Sequence, residues 1–443
     1  MNKNEPYKRI IVFLAGLILW SLMLVVWYYE WMKNYANVIL RPFGYKGNWL
    51  VVAVYGILLF FFTHIYNGYK IGKYRPSDVI FSASFAMVIA NAVTYLQTCL
   101  IGREIMTPWP FVQMTLIHFV MITAWGMISC RIYLKIFPAH RMLLIYGGSE
   151  LTNHLISKMI NRNEKYHIEQ AISADAEFDE LTNAIDKYSS VILCDMKSNE
   201  RNAVLKYCYD RNIRMYITPK IADILLRGAG DVNVFDTPLL LIKGYGLSFE
   251  QRFAKRTMDI VLSAIGIVIT SPFMLLTAIA IKLQDGGPVL FKQDRLTIND
   301  KVFSIYKFRS MIVDAEKNTG AVLAKEGDSR ITKVGKIMRM IRLDELPQLF
   351  NILKGDMSVV GPRPERPELV EEHLKTMEEF SFRTKVKAGL TGYAQVVGRY
   401  NTTAYDKLKL DLMYITKYSL LEDIKLILMT VKILFVKEST EGV

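Results

Sequence analysis

Apolar positions in the first 137 residues run in unbroken blocks rather than alternating with polar ones. The blocks Ile10 to Tyr29, Gly47 to Tyr69, Val79 to Gly102 and Ile105 to Cys130 contain no Asp, Glu, Lys or Arg. As helices rising about 1.5 Å per residue, each is long enough to cross a hydrocarbon core of about 30 Å. The pattern predicts a membrane α-helical bundle of four spans over 1–137. The first block is too long for a cleaved signal peptide, and no small-residue cleavage pattern follows it. Lys3, Lys8 and Arg9 precede the first span, Lys70, Lys73 and Arg75 separate the second and third, and Arg131, Lys135 and Arg141 follow the fourth. Positive flanks of this kind face the cytoplasm. The loop with Lys33, Arg41 and Lys46 runs against that assignment. Trp27, Trp31 and Trp109 suit interfacial positions. His64 and His118 could relay protons, although isolated histidines in a bundle are more often packed or hydrogen-bonded.

From Arg141 the pattern changes to short β-rich runs, Met142 to Tyr146, His167 to Ser173, Ser190 to Cys194 and Arg214 to Ile217, alternating with helical periodicity. The helical runs lie near Leu151–Ile160, Phe178–Asp186, Glu200–Arg211 and Ile221–Leu226. Such alternation predicts an open parallel sheet, a Rossmann-like α/β domain over 138–246. Gly147-Gly148-Ser149 follows the first run, where a dinucleotide-binding turn would sit. The GxGxxG spacing is absent, and Glu150 would put a negative charge where a pyrophosphate lies. The domain is read as a scaffold without a cofactor site.

A fifth apolar block, Ile260 to Ile281, opens the last region, 247–443. Ser271-Pro272 lies at its middle, where proline removes a backbone donor. A full crossing would carry Lys282 to Arg342, with 13 Lys/Arg against 7 Asp/Glu, to the outside. A re-entrant membrane helix that bends at Ser271 and Pro272 and returns satisfies both constraints; a plain fifth span or a buried core helix is the alternative.

Composition fits this arrangement. The 443 residues are 51% hydrophobic yet carry a net charge of +13, as expected of a membrane protein with a cationic face or one handling anionic substrates. Neither zinc-ligand spacing nor an aromatic RNA-binding signature occurs, so nucleic acid is not the expected partner. The four cysteines form no CxxC pair, which argues against a disulfide framework or a structural zinc site.

The candidate chemistry lies beyond the fifth block. Asp344 and Glu345 stand side by side just before Pro347 and a short apolar helix ending at Lys354-Gly355. Acidic residues begin many helices, and the dipole there favours an ionised Asp344 and could help hold a phosphate. Arg339 and Arg342 precede the pair. Arg363 sits between prolines in Gly361-Pro362-Arg363-Pro364, while Lys307 and Arg309 lie in an alternating run suited to a strand. Guanidinium groups match phosphate oxygens in a bidentate way, and lysine supplies a point charge. Carboxylates set among cations beside a membrane-dipping helix suit the joining of a diphosphate donor to a lipid phosphate.

From Lys255 onward the sequence resembles the monotopic polyprenyl-phosphate phosphoglycosyl transferases, the bacterial sugar transferase family. The likeness runs in order through Lys255-Arg256-Thr257-Met258-Asp259, Ser271-Pro272, Gly287-Pro288-Val289-Leu290-Phe291, Gln293-Asp294-Arg295 and Tyr306-Lys307-Phe308-Arg309-Ser310-Met311. It continues through Leu343-Asp344-Glu345-Leu346-Pro347-Gln348, Asn351 to Ser358, Gly361-Pro362-Arg363-Pro364, Gly389-Leu390-Thr391-Gly392, Ala394-Gln395-Val396 and Gly398-Arg399. Three departures stand out: Leu296 to Asp300 lacks the glycines usual there, Ala388 replaces a common proline, and Tyr393 replaces a frequent tryptophan.

The resemblance implies a mainly α-helical phosphoglycosyl transferase domain and a two-step reaction. Asp344 would attack a UDP-sugar and release UMP, and polyprenyl phosphate would then take the phosphosugar. It implies Mg²⁺ held at Asp344, Glu345 assisting, and Lys307, Arg339, Arg342 and Arg363 on the substrate phosphates. It also implies a multi-pass protein of the bacterial cytoplasmic membrane with its catalytic domain inside, commonly a dimer in the larger members, that transfers a hexose 1-phosphate to start a polysaccharide. Two other readings remain: an NAD-dependent nucleotide-sugar enzyme using the middle domain, and a non-catalytic membrane scaffold in which Asp344 is dispensable.

Overall fold

The computed structural model describes residues 5–39, 41–160, 162, 165–244, 246–313, 315, 328–398 and 402–435, apart from the side chains of 149–151. Lys3, the Glu150 side chain, Arg399 and, within the Lys282–Arg342 stretch, residues 314 and 316–327 therefore lie outside the described residues. The chain forms two compact units, Met1–Thr218 and Pro219–Val443.

The first unit opens with helices α1 (Lys8–Asn34), α2 (Tyr45–Ile65), α3 (Pro76–Gly102) and α4 (Trp109–Ile136). All are long and apolar enough to cross a membrane. Their shared interior is aromatic. The Trp27 ring packs tilted against Tyr55 and Phe111, with ring centres 5.4 and 5.2 Å apart, and the Trp31 indole N–H donates to Asn48 Oδ1 at 2.8 Å. Trp27 and Trp31 are thus fully buried within the bundle and do not face lipid, because their face of α1 is the one that meets α2 and α4. Trp109 stays exposed, as an interfacial residue would. His118 is a packing residue: it is buried, with Nε2 3.2 Å from Met23 O and Nδ1 3.4 Å from the Tyr55 hydroxyl. The opposite face of α1 leaves Phe13, Ile18, Leu22 and Val25 exposed, as lipid contact would require.

The same unit continues as β1 (His140–Tyr146), α5 (Ser149–Ile160), β2 (Tyr166–Ser173), α6 (Phe178–Ile185), β3 (Ser190–Cys194), α7 (Ser198–Asp210) and β4 (Arg214–Ile217). The sheet order is β2-β1-β3-β4 and every pairing is parallel. Helices cover both faces. Leu143, Ile145, Val191 and Leu193 pack toward α6 and α7, while Met142, Leu144 and Ile192 pack toward α5. At the carboxyl ends of β1 and β3, where such sheets bind ligands, Asp195 fills the turn. A Cβ at Gly147 would meet Asp195 O at 2.3 Å, and a Cβ at Gly148 would meet Asp195 Oδ2 at 2.4 Å.

The second unit begins with α8 (Ile221–Arg227), which was expected to finish the parallel domain. Instead Ile221 and Ile224 pack into one core with Leu408 and Leu412. The hairpin of β5 (Gly230–Val234) and β6 (Thr237–Leu241) follows, then α9 (Phe249–Asp285), a 37-residue helix. A second hairpin pairs β7 (Leu290–Leu296) with β8 (Val302–Phe308). Beyond it come α10 (Lys333–Met340), a 3-10 turn at Leu343–Glu345, α11 (Gln348–Lys354), β9 (Ser358–Val360), α12 (Pro367–Thr376) and a 3-10 run at Glu378–Lys385. The chain closes with β10 (Gly389–Thr391), α13 (Tyr393–Val397), α14 (Ala404–Thr416) and α15 (Leu420–Ile433).

Helix α9 runs unbroken past Ser271 and Pro272. Proline cannot donate to the carbonyl one turn back, and the Ser271 hydroxyl donates to that carbonyl, Val268 O, at 2.8 Å. The half before the proline is fastened to the rest of the unit: Arg256 donates to Ile352 O and Leu353 O at 2.7 Å each, and Asp259 Oδ1 accepts from Ser358 Oγ and Val359 N. The half after it packs Met274, Ala278 and Ile281 on Phe308, Met338, Leu343 and Leu346. The remaining face exposes Ile265, Val268, Ile269, Phe273, Leu275 and Leu276.

Candidate active site

Short elements set the carboxylates in place. Arg342 adopts a left-handed backbone at φ 55°, unusual for a branched-out side chain and a local cost that functional sites tolerate. The turn so produced starts the 3-10 segment that carries Asp344 and Glu345. Pro347 occupies the cap of α11, so the carboxylates lie a turn upstream of that helix and not at its cap. The helix dipole is therefore not what governs Asp344. Burial, and next the neighbouring Glu345 charge, push its carboxyl above the usual range, although Lys307 and Arg339 oppose them.

Glu345 behaves differently. Burial works against its charge too, but Lys307, Arg363 and Arg342 outweigh it and hold the carboxyl down at about 2. Its Oε1 lies 3.3 Å from both Lys307 Nζ and Arg363 Nη2, and its Oε2 lies 3.8 Å from Arg342 Nη1. Among the described residues Asp344 has no ion pair within 4 Å. The division has chemical meaning: one carboxylate is committed to organising cations, and its neighbour makes no ion pair among the described residues. Arg339 lies among the same groups, with a buried Nη1 that finds no acceptor among the described residues.

The structure thus brings together Asp344, Glu345, Lys307, Arg342 and Arg363, with Arg339 acting on Asp344 through its charge. Arg309 leaves the group. Its Nη1 bonds Asp285 Oδ2 at 2.6 Å and its Nε bonds Pro288 O at 2.7 Å, tying β8 to the end of α9. Residues i and i+2 of a strand share a face, so alternation would have kept Lys307 and Arg309 together. But β8 ends at Phe308, and Arg309 lies beyond it, where its N–H donates to Val289 O at 2.9 Å and its side chain turns to Asp285. Ser271 and Pro272 belong to α9 and take no part in the carboxylate cluster.

Sequence reasoning passed over Asn351. It is fully buried in α11, where its Oδ1 accepts from Tyr306 N at 2.9 Å and its Nδ2 donates to Ser304 O at 2.9 Å. One amide therefore imitates a strand partner for β8 and locks Lys307 to the helix that follows Glu345. A polar residue inside Leu349-Phe350-Asn351-Ile352-Leu353 is the signal that could have found it. Asn351→Leu strands a buried donor and a buried acceptor, each worth about 1–3 kcal/mol. The expected result is a clear drop in the melting temperature of the purified protein, measured by calorimetry.

Residues 250–437 match the family model described as bacterial sugar transferase. A UDP-glucose:undecaprenyl-phosphate glucose-1-phosphate transferase of Caulobacter vibrioides is 40% identical over 182 residues, covering 40% of this chain and 68% of that protein. The chain belongs to the bacterial sugar transferase family. It is also 45% identical, over 41% of its length, to a UDP-N-acetylgalactosamine-undecaprenyl-phosphate N-acetylgalactosaminephosphotransferase of Aeromonas hydrophila. With a UDP-glucose:undecaprenyl-phosphate glucose-1-phosphate transferase of Escherichia coli it shares 39% identity over 46% of its length. The matches span less than half of those two relatives, 43% and 44%. The family match lies within the second unit, where the carboxylates and their cations are.

Proposed function

We propose that the protein transfers a sugar 1-phosphate from a UDP-sugar to a polyprenyl phosphate through a phosphosugar carried on Asp344. The observation that carries the reading is the unequal pair: Glu345 is engaged by three cations, whereas Asp344 has no ion pair among the described residues and feels the charge of Arg339, whose buried Nη1 finds no acceptor among them. An Asp344 oxygen attacks the sugar-bearing phosphorus, the bond to the UMP oxygen breaks, and UMP leaves with the electron pair. An oxygen of the polyprenyl phosphate then attacks the same phosphorus and frees the carboxylate. Lys307, Arg339, Arg342 and Arg363 hold the phosphate oxygens as charge builds on them. Hard divalent cations take one or two carboxylates together with substrate phosphates. The donor set here fits magnesium on Asp344, since Glu345 is already occupied by cations. When bound, magnesium would neutralise charge on the phosphates. The relatives' names support a donor among UDP-glucose and UDP-N-acetylgalactosamine, and the acceptor undecaprenyl phosphate. Purified protein incubated with a panel of UDP-sugars should release UMP with one of them. Absence of UMP from the whole panel would refute the reading.

The reading includes a topology in which α9 enters and leaves the bilayer by the cytoplasmic face. A straight helix of this length would extend about 55 Å, and a crossing would part Arg256 from Ala278 by the membrane. Yet residues 343–353 pack against α9 on both sides of Pro272. The exposed face between is apolar except for Thr257 and Ser271, whose hydroxyls bond back to the helix at Phe253 O and Val268 O. Single cysteines at Phe253 and Leu283, both exposed positions, are expected to resist an impermeant maleimide in intact cells and to react once the membrane is opened. Labelling at 283 from outside with 253 protected would show a crossing helix.

A further inference from the structure

We infer that the buried pair Arg383–Asp411 positions Arg363 for phosphate binding by fixing the backbone of its loop. The inference rests on the transfer reading above. The Gly361–Glu365 loop has no regular structure, yet four successive carbonyls in it are each held by a different group. Gly389 N–H donates to Pro362 O at 2.8 Å, Arg383 Nη2 to Arg363 O at 3.0 Å, Arg295 Nη1 to Pro364 O at 3.2 Å, and Leu296 N–H to Glu365 O at 3.0 Å. Only the Arg383 contact falls on the residue whose side chain meets Glu345.

Arg383 is built to be immobile. It is 5% exposed, its guanidinium carbon lies 4.9 Å from the centre of the Phe380 ring, and Nη2 lies 2.8 Å from Asp411 Oδ2. Asp411 is itself 1% exposed, and Glu365 Oε1 stands 3.6 Å from Nη1. A planar guanidinium can hold a carboxylate and a carbonyl together in one fixed geometry, which a lysine ammonium on its flexible stem cannot. As a means of holding a core together, a buried ion pair is no better than apolar residues of similar volume. Its placement on the Arg363 carbonyl is what apolar residues could not reproduce. Small misplacements of a phosphate-binding group cost large factors in rate, about 100-fold for 1 Å.

Arg383→Met alone would bury Asp411 without its cation, a change that can prevent folding. The test therefore uses Arg383→Met with Asp411→Leu, and separately Arg383→Lys, which keeps the charge. Both proteins should melt within a few degrees of the parent, and kcat/KM for UMP release should fall about 10-fold or more in each. In an Arg363→Ala background the same changes should cost less than about two-fold, because the group they position is gone. Full activity in the Met/Leu protein, or an equal loss in both backgrounds, would overturn the inference. If the parent releases no UMP from any donor, the transfer reading fails instead. The same comparison made by calorimetry with inorganic pyrophosphate then decides the positioning: a loss of affinity confined to the Arg363 background supports it, and an equal loss in both refutes it.

Discussion

Asp344→Asn is expected to reduce UMP release by at least about 10³-fold and to abolish capture of labelled phosphosugar on the protein. The amide matches the carboxylate in shape, so the surrounding cations keep their places while the attacking oxygen loses its charge. The cluster predicts a different outcome at the neighbouring position. Glu345→Gln removes the partner of Lys307, Arg363 and Arg342, so activity falls through disorder among the cations. Arg363 is well exposed and can move once released, so its share of the loss should be in substrate affinity. Quench-flow with a radiolabelled UDP-sugar separates the effects. Near-normal turnover in Asp344→Asn would remove the covalent route altogether.

The largest expected effect on stability is at Asp423. Lys255 Nζ lies 2.7 Å from Asp423 Oδ2 and 3.1 Å from the Tyr414 hydroxyl, and the Tyr414 hydroxyl donates to Asp423 Oδ1 at 2.7 Å. Lys255 is 5% exposed and Asp423 is completely buried. The ammonium also lies 5.4 Å from the centre of the Tyr418 ring. Asp423→Ala removes the only carboxylate bonded to that ammonium among the described residues and leaves it the charge of Asp259 alone, a loss of about 3–5 kcal/mol. Domains are stable by about 5–15 kcal/mol, so the second unit should melt far earlier or fail to fold. Replacing both charges, Lys255→Met with Asp423→Leu, is expected to be close to neutral, because two desolvated charges disappear together. Thermal unfolding in detergent compares them. Equal melting temperatures for Asp423→Ala and the parent would show that Lys255 finds another partner.

The Lys255–Asp423 and Arg383–Asp411 pairs were invisible from spacing alone. Lys255 lies in the matching Lys-Arg-Thr-Met-Asp stretch, but nothing near it in sequence points to Asp423 on α15. The same holds for Arg256, which donates to the last carbonyls of α11, where Gly355 at φ 101° ends the helix. Polar residues in these stretches read as ordinary surface until the chain folds back on itself. The one local clue was Asn351, because an amide in an apolar run of a short helix needs buried partners.

The sequence by itself determined the membrane-length helices and the four parallel strands to within two residues. It nominated Asp344 and Glu345 with Lys307, Arg309, Arg339, Arg342 and Arg363 around them, of which the structure keeps all but Arg309 together. Each depends on local physics: unbroken apolar length, alternation between strand and helix periods, and charge density around a proline-stiffened turn. Tertiary structure alone decided that Trp27 and Trp31 face the bundle interior, that α8 joins the second unit, and that Asp195 closes the Gly147-Gly148 turn. It also divided the two adjacent carboxylates, giving the cations to Glu345 and raising the pKa of Asp344. Adjacent residues in a 3-10 turn point in different directions, and which one meets β8 and the Arg363 loop is set by packing between elements distant in sequence.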